Sequence, residues 1–234
     1  MQQDMTSPFS RMTPLFEENQ LERIRKAHVM VFGLGGVGSY AVEALCRCGV
    51  GKLTLVDNDS FVASNLNRQL PALHSTLGRK KVEVVAERCK DIAPECELIA
   101  IEAFYLPDTP VPIADDCTLV VDAIDTISAK LHIAQVCHEK NIPLISCMGM
   151  GNRLDPTKIT FGDIYETTTC PLCRVMRREL RKRNVPSLRV VYSQEIAKKP
   201  NHVEQRTPAS VAFVPSVAGL FIASDVIQTI IREC

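Results

Sequence analysis

The sequence predicts an α/β fold with a doubly wound, mainly parallel sheet and helices on both faces of that sheet. Two observations carry this prediction. Short apolar runs, which are typical of buried strands, alternate along the chain with longer segments whose apolar residues recur at helical spacing. The length of 234 residues also lies within the range of one α/β domain, or of one such domain with a small addition.

Compact apolar runs indicate the strands of the core, and the segments between them indicate its helices. In one of these segments Val82, Val85 and Cys89 recur at intervals of three and four residues, which is the period of an amphipathic helix. The predicted strands are 28–33, 52–57, 98–101, 118–122 and 143–147. The predicted helices are 17–26, 38–48, 82–92 and 127–139.

After residue 149 the pattern becomes shorter and more polar. We expect two short strands, at 158–161 and 188–192, with one helix between them and a last helix over about 217–232. The polar stretch 198–208 contains Pro200 and Pro208 and is a candidate mobile loop. The expected organisation is an N-terminal arm and helix (1–27), a core (28–150) and a small C-terminal extension (151–234) that completes the same domain.

Composition excludes several classes of protein. Lys and Arg together number 27, as do Asp and Glu, so a binding site for a polyanion would have to be a local patch. The ten cysteines are too few and too scattered for a disulfide scaffold, and without a signal peptide they indicate a reduced, cytoplasmic protein. The most apolar stretch, 208–222, is about 15 residues long and contains Pro215, which is too short for a membrane span.

A glycine-rich segment follows the first predicted strand and opens a helix. Gly33, Gly35, Gly36 and Gly38 match G-x-G-x-x-G in the context that makes this motif credible. Glycines let the backbone approach a phosphate, whose charge is stabilised at the helix N-terminus. Asp57 ends the next strand, where an acid can bind ribose hydroxyls. Alone, this Rossmann-like pattern favours a dinucleotide.

Polar and cationic residues beyond the second strand change that interpretation. Asp59, Asn65, Arg68 and Lys81 follow in order. A triphosphate needs cations and a metal around the leaving pyrophosphate, which a dinucleotide does not. Asp125, after the fourth strand, would supply a hard oxygen ligand for Mg²⁺. Arg68 or Lys81 taken singly could equally be a solvated surface charge, but the ordered set favours ATP with magnesium.

These motifs resemble the ubiquitin-activating-type (ThiF/MoeB-like) adenylyltransferases over residues 11–147. Within that superfamily, the chain is similar to the family of tRNA threonylcarbamoyladenosine dehydratases. The similarity is spread over nearly the whole chain. It rests on residues 35–39, 54–57, 65–69, 121–125, 171–180 and 214–219.

The resemblance implies a role for each candidate residue. Arg11 would reach across a homodimer to the partner's triphosphate, and Asp57 would hold the ribose. Asn65, Arg68 and Lys81 would hold phosphates, and Asp125 would bind magnesium. The family activates the threonylcarbamoyl carboxylate beside the tRNA anticodon as an acyl-adenylate, which then cyclises with loss of water. Because the attacking group is on the same nucleoside, no separate nucleophile is required.

The cysteines leave alternatives open. Relatives that activate sulfur carriers have two C-x-x-C pairs for structural zinc, and many have a catalytic cysteine, whereas this chain has one pair, Cys170 and Cys173, and Cys234 lacks a close partner. Four ligands close a structural zinc site, so this departure argues against zinc. Cys170, before Pro171 at a helix start, is either a nucleophile or a partly buried cysteine without a role in catalysis. The same alternatives apply to Cys147.

The helix after Pro171 is a candidate surface for RNA. Its arginines fall on one face, opposite the apolar residues Met176 and Leu180. Such a stripe suits contact with a phosphate backbone, although a solvated helix face explains it equally well. The polar segment 198–206 is a second candidate. The arginines of the predicted stripe are Arg174, Arg177, Arg178 and Arg181.

Three other functions compete with a tRNA-modifying enzyme. An activating enzyme for a small ubiquitin-like or sulfur-carrier protein would predict a zinc site and a thioester cysteine. A nicotinamide-dependent oxidoreductase would leave Arg68, Lys81 and Asp125 unexplained as a set. A non-catalytic nucleotide sensor on the same fold would bind ATP without turnover.

Overall fold

The computed structural model describes residues 8–199 and 208–232 and confirms the predicted fold class. One seven-stranded sheet has the order β3-β2-β1-β4-β5-β7-β6, and every neighbouring pair is parallel except β6 and β7. The strands are β1 (His28–Phe32), β2 (Lys52–Val56), β3 (Glu97–Ile101), β4 (Leu119–Asp122), β5 (Leu144–Cys147), β6 (Ile159–Asp163) and β7 (Arg189–Ser193).

The helices occur where helical spacing predicts them. The last helix starts earlier than expected, at Phe213 rather than near residue 217, because Pro215 falls in its first turn, where a missing backbone N–H costs no helical hydrogen bond. The helices are α1 (Glu18–Lys26), α2 (Gly38–Arg47), α3 (Lys81–Ile92), α4 (Ile127–Lys140), α5 (Pro171–Lys182) and α6 (Phe213–Arg232).

Both faces of the sheet are covered, which explains why its central strands are apolar throughout. Val29 and Val31 of β1 point into a core shared with α2, α3 and α6. The alternate residues Met30 and Phe32 point to the other face, where α4 packs. Helix α5 packs beside α4, over Val190 of β7. All of these β1 side chains are at most 1% exposed.

The C-terminal part of the chain joins the same sheet. Strand β7 pairs with β5 in parallel, and β6 forms the antiparallel edge beside it. The boundaries at residues 27 and 150 stay predictions. Most of the candidate mobile loop, residues 200–207, lies outside the described residues. Asn152 binds the chain on both sides of that segment. Its carbonyl accepts a hydrogen bond from Lys198 N, and its Oδ1 accepts one from Ala209 N.

Helix α6 packs closely against the start of α2. A Cβ on Gly219 would lie 2.4 Å from the Val37 carbonyl oxygen and 2.8 Å from Tyr40 Cβ, so the contact requires glycine. The length argument against a membrane span does not hold for this helix, because it has 20 residues and is apolar enough to cross a bilayer. Half of its most apolar window is nevertheless buried in this fold. We therefore interpret α6 as a core helix.

Candidate active site

A cavity of about 940 Å³ opens at the carboxyl ends of β1, β2, β4 and β5. This edge of an open parallel sheet is where ligands bind in doubly wound folds. The cavity wall brings together most of the residues that the sequence singles out. They are Gly33, Gly35, Gly36, Asp57, Asp59, Asn65, Arg68, Lys81 and Asp125.

The glycine loop lies directly against the turn that follows β4. Gly33 has a φ of +89°, and a Cβ there would be 2.8 Å from the Ala123 carbonyl oxygen. Gly38 lies behind the loop rather than on the cavity wall, since a Cβ at that position would be 1.8 Å from the Gly33 carbonyl oxygen. Gly38 thus allows α2 to begin against the loop, and any direct contact of Gly38 with a nucleotide stays a prediction.

Asp57 connects the glycine loop to the next turn. Its Oδ2 accepts a hydrogen bond from Leu34 N at 2.7 Å, and its Oδ1 accepts one from Asp59 N at 2.8 Å. The carboxylate is therefore held in one orientation on the cavity wall. Its role as a ribose acceptor stays a prediction that this fixed position favours.

Lys81 is not a solvated surface charge. The residue is 5% exposed, and its Nζ lies 2.7 Å from Asp59 Oδ2. Its backbone N–H also donates to the Asp59 carbonyl at 3.0 Å, which fixes the start of α3 beside the turn after β2. The ammonium group is therefore held at the cavity, where it can contact an anion.

Arg68 and Asn65 reach the cavity from the short helical turn after β2. Arg68 packs over the glycine loop, with its Cγ 3.3 Å from the position a Cβ on Gly36 would take. Its Nη1 donates to the Ser64 carbonyl at 2.8 Å and to Asn67 Oδ1 at 2.9 Å. These bonds orient the guanidinium without neutralising it. Asn65 is buried, and its Oδ1 accepts from Val62 N at 3.1 Å, which orders the same turn.

Gln69 is a cavity residue to which the sequence analysis assigns no role. Its side chain is buried, and its Oε1 has no hydrogen-bond partner among the described residues. A buried acceptor without a partner is costly, so a donor such as a ligand hydroxyl or amine suits this position. In the sequence, the one indication that Gln69 belongs to the site is its place at the end of the Asn-Leu-Asn-Arg-Gln motif, residues 65–69.

Asp125 is exposed at the edge of the cavity, on a turn that buried polar residues hold in place. Asp122 Oδ2 accepts hydrogen bonds from Lys130 Nζ at 2.9 Å and Ser146 Oγ at 2.5 Å, while its Oδ1 accepts from Ile124 N at 3.2 Å. Asp122, Lys130 and Ser146 are at most 1% exposed. The sequence patterns do not predict this triad, although the position of Lys130 on the apolar face of α4 is a signal for a buried cation.

The acidic residues around the cavity fit magnesium bound to phosphates rather than an all-protein metal cage. Within residues 8–199 and 208–232, no group of three or more His, Cys, Asp or Glu side chains is arranged to hold a metal ion. Mg²⁺ is commonly held by one or two carboxylates together with substrate phosphates and water. The exposed carboxylate of Asp125, at the rim of a cavity that carries two cations, fits that mode.

Arg11 does not reach the cavity of its own chain. It is exposed, and its neighbours Phe9 and Met12 line a separate cavity of about 480 Å³ beside Gly49, where α2 ends. Helix α2 starts at the active-site cavity, and its ten residues span about 15 Å. Arg11 is therefore remote from the active-site cavity of its own chain, and its role at the cavity of a second chain stays a prediction.

Comparison with known proteins places the chain in a family. A model described as the ThiF family matches residues 9–233. The chain belongs to the ThiF family. The relationship inferred from the sequence motifs is thereby confirmed at the level of the family.

Two ThiF relatives named tRNA threonylcarbamoyladenosine dehydratase are similar in sequence. The protein from Bacillus subtilis (strain 168) is 40% identical over 245 residues, which cover 98% of this chain and 96% of the relative. The protein from Escherichia coli (strain K12) is 38% identical over 174 residues, which cover 74% of this chain and 65% of the relative. The crystal structure of the E. coli dehydratase TcdA in complex with ATP superposes with a TM-score of 0.86 at 31% identity, covering 95% of this chain and 93% of that one.

The basic stripe of this ThiF chain differs from the sequence prediction. Arg177 turns back to the protein, where its Nη1 donates to the carbonyl and the hydroxyl of Thr167. Arg181 stacks over the Tyr165 ring, with its Cζ 5.1 Å from the ring centroid. Helical spacing could not reveal these partners, because both belong to the segment before α5. RNA contact through the exposed Arg174 and Arg178 stays a prediction.

The cysteines near the cavity differ in character. Cys147 lies on the cavity wall, but burial raises the pKa of its thiol to about 12, which disfavours the nucleophilic thiolate. Cys170 and Cys173 at the start of α5 do not line the cavity and are at most 2% exposed. None of these three cysteines is therefore an exposed nucleophile.

Proposed function

We propose that this chain is an ATP-dependent tRNA threonylcarbamoyladenosine dehydratase. The observation that carries the proposal is the 40% identity to the B. subtilis dehydratase along almost the entire length of both proteins. The cavity supports it, since a glycine loop, a fixed Asp57 and two oriented cations face one space. The E. coli relative, similar over nearly the whole chain, is an ATP-bound protein.

The first step is adenylation of the substrate carboxylate. A carboxylate oxygen of the threonylcarbamoyl group attacks the α-phosphorus of ATP, the bond to the β-phosphate oxygen breaks, and pyrophosphate leaves. Negative charge builds on the departing phosphates, beside Lys81 and Arg68. Preorganised donors of this kind are worth about 10²–10³ in kcat each. Backbone amides of the glycine loop and Asn65 complete the phosphate contacts.

Magnesium binds at Asp125 in this proposal. Held there, magnesium would neutralise phosphate charge on the leaving pyrophosphate. The triad of Asp122, Lys130 and Ser146 fixes the backbone of the turn that presents Asp125. Asp125 therefore keeps its position relative to the glycine loop, which Gly33 holds against the same turn.

The second step closes a ring on the same nucleoside. The carbamoyl group attacks the activated carbonyl carbon and releases one proton to solvent, while the bond to the adenylate oxygen breaks and AMP leaves with the carboxylate oxygen. The nucleoside thereby loses the elements of one water. Intramolecular attack of this kind has an effective molarity on the order of 10⁵ M or more, so no enzyme nucleophile is needed. The raised pKa of Cys147 is consistent with such a route.

The partners follow from the chemistry of the substrate. The tRNA carries threonylcarbamoyladenosine to the cavity and contacts the exposed arginines of α5 and the segment 198–206. The first residue of that segment, Lys198, donates its backbone N–H to the carbonyl of Asn152, which follows the cavity-wall residue Gly151. The enzyme acts as a homodimer in which Arg11 completes the partner's phosphate site. It works in the cytoplasm, where tRNA is modified, and a sulfur-transfer or carrier protein is a candidate further partner.

Incubation with magnesium, ATP and tRNA that carries threonylcarbamoyladenosine tests this function. The digested nucleosides are analysed by mass spectrometry under mild, neutral handling, since a cyclic product is prone to hydrolysis. We expect an ATP-dependent species lighter than threonylcarbamoyladenosine by one water. Reactions without ATP, or with Asp125→Ala protein, are the controls.

Other outcomes would identify the competing functions. Unchanged nucleosides together with pyrophosphate release on addition of a small sulfur-carrier or ubiquitin-like protein would favour a carrier-activating enzyme. ATP binding without turnover by wild-type protein in either assay would favour a nucleotide sensor.

A further inference from the structure

Two cysteines that the proposed reaction does not use lie together behind the cavity wall. Cys170 is the N-cap residue of α5, and Cys173 is the third residue of that helix. Both are buried, at 2% and 0% exposure. Cysteines three positions apart at a helix start are spaced suitably for a disulfide, as in C-x-x-C redox motifs.

The surroundings of Cys170 favour a thiolate. Interaction with the Cys173 thiol, assisted by backbone amides and the Arg153 guanidinium, lowers the pKa of Cys170 and outweighs the opposing effect of burial. The pKa of Cys173 is raised, chiefly by its interaction with Cys170, so Cys173 keeps its proton. The pair therefore consists of one thiolate and one thiol, which is the arrangement of an attacking and a resolving cysteine.

Arg153 supplies a buried positive charge beside this pair. It is 3% exposed, and its Nη1 and Nε donate to the carbonyls of Gly149, Gly151 and Glu195. Its Nη2 is buried and has no hydrogen-bond partner among the described residues. Within residues 8–199 and 208–232, Arg153 forms no ion pair with a carboxylate. A guanidinium that is hydrogen-bonded only to uncharged carbonyls keeps its full positive charge, which stabilises an anion on a neighbouring sulfur.

Gly149 lies between the cavity and the sulfur of Cys170. Gly149 lies on the cavity wall, and a Cβ placed on it would be 3.7 Å from Cys170 Sγ and 3.9 Å from Arg153 Nη1. Because glycine has no side chain, little more than its backbone separates Cys170 from the cavity. Gly149 is therefore the point of the cavity wall at which a small oxidant would have to pass to reach the sulfur.

We propose that Cys170 and Cys173 form a peroxide-reactive dithiol that is reached through the Gly149 wall of the ATP cavity. The Cys170 thiolate attacks one oxygen of hydrogen peroxide, the O–O bond breaks, and the departing hydroxide takes a proton to form water. The Cys173 thiol then attacks the Cys170 sulfenic acid, the S–O bond breaks, and a second water forms with the Cys173 proton. Two electrons pass from the thiols to the peroxide, and a dithiol reductant reverses the reaction.

Thiol mapping after peroxide treatment tests the proposal on the whole protein. Treated protein is denatured, alkylated and digested, and each cysteine peptide is quantified by mass spectrometry. We expect a Cys170–Cys173 disulfide that dithiothreitol removes. Cys117 should stay alkylatable, because its thiol is buried with a raised pKa. Oxidation spread evenly over the cysteines, or absent from this pair, would overturn the proposal without any variant being needed.

Variants then separate the roles of the two thiols. With Cys173→Ser, dimedone added as the peroxide-treated protein is denatured should trap a sulfenic acid on Cys170, whereas with Cys170→Ser no adduct should form on Cys173. An adduct on Cys173 in the second variant would show that the assignment is reversed and wrong. Near-ultraviolet circular dichroism confirms that each variant is folded.

Access through the wall is tested by Gly149→Ala. The added methyl group would lie in ordinary contact with Cys170 Sγ, so it should fit and slow oxidation several-fold while both cysteines remain. An unchanged rate would overturn the access route. Bound ATP should also slow oxidation, an expectation that rests on the proposed function. If Gly149→Ala slows the reaction and magnesium-ATP does not, the dithiol site stands and occupancy of this cavity by ATP is contradicted.

Discussion

At the scale of single residues, the cavity is built from charges that are oriented before any substrate binds. Lys81 is held by Asp59, Arg68 by carbonyl and amide oxygens, and Asp57 by two backbone N–H groups. Each group thus loses little orientational freedom when a nucleotide arrives, which is the condition for strong electrostatic stabilisation of a transition state.

Replacing Lys81 should reduce turnover severely. Lys81→Ala removes a buried ammonium from the phosphate site, and we expect kcat to fall by about 10²–10³, measured as pyrophosphate release. Lys90→Ala is the matched control, because Lys90 is an exposed residue of the same helix, away from the cavity, and its loss should leave turnover near that of the wild type. Near-normal activity of the Lys81 variant would contradict the assignment of Lys81 to the phosphate site.

The buried triad should matter for stability. Lys130→Met leaves the Asp122 carboxylate buried without its cation, so we expect the free energy of unfolding to fall by about 3–5 kcal/mol in urea titrations. The double variant Lys130→Met, Asp122→Asn removes both charges and should lose less than the single variant. A single-variant loss below about 1 kcal/mol would mean that the pair is not desolvated as the structure indicates.

At the scale of elements, the site depends on how closely two helices approach. Helix α6 contacts the beginning of α2 at Val37, the N-cap residue of α2 that lies within the glycine-rich segment. Pro215 of α6 also lies on the cavity wall, near the position a Cβ on Gly36 would take. The C-terminal helix therefore supports the phosphate-binding loop although it is distant in sequence.

The close contact at Gly219 gives an element-scale prediction. In Gly219→Ala the new methyl group overlaps the Val37 carbonyl, so α6 has to move away from α2. We expect a loss of about 1–3 kcal/mol in unfolding free energy, with weaker ATP binding by calorimetry. The adjacent Leu220 is 48% exposed, and Leu220→Ala should change stability by no more than about 0.5 kcal/mol. Equal stabilities of the two variants would contradict the packing described.

Local patterns predicted the strands and the glycine loop, because a buried parallel strand and a G-x-G-x-x-G turn each leave a direct trace in neighbouring residues. Local patterns alone do not show which of the adjacent residues Lys80 and Lys81 is buried at the cavity. The structure pairs Lys80 with Glu102 and buries Lys81 at the cavity. The inward turn of Arg177 depends on tertiary partners in the same way, as does the unpartnered Oε1 of Gln69. None of these contacts has a signature in spacing.

At the scale of the whole molecule, the neighbours of Arg11, Phe9 and Met12, lie by the end of α2, whereas the active-site cavity lies at its start. A homodimer resolves this separation, if the arm of each chain reaches the cavity of the other. Such an exchange gives two equivalent sites, each built from both chains, as the two-fold symmetry of most homodimers requires.

Mixing two inactive variants tests the shared site. Arg11→Ala and Asp125→Ala subunits should each form inactive homodimers. A mixed dimer should contain one site with both residues intact, because the two defects fall in the other site. Turnover of separated heterodimers should approach half that of the wild type. Heterodimers as inactive as either homodimer would place Arg11 in a site of its own chain or outside the reaction.

Oxygen transfer from substrate to AMP tests the central claim most directly. The substrate is tRNA whose threonylcarbamoyl carboxylate carries ¹⁸O, and the AMP produced with magnesium and ATP is analysed by mass spectrometry. Adenylation followed by ring closure predicts one ¹⁸O atom in the phosphate of each AMP, because the attacking carboxylate oxygen leaves with it. Unlabelled AMP, or ADP and phosphate in place of AMP and pyrophosphate, would contradict an adenylate-forming dehydratase.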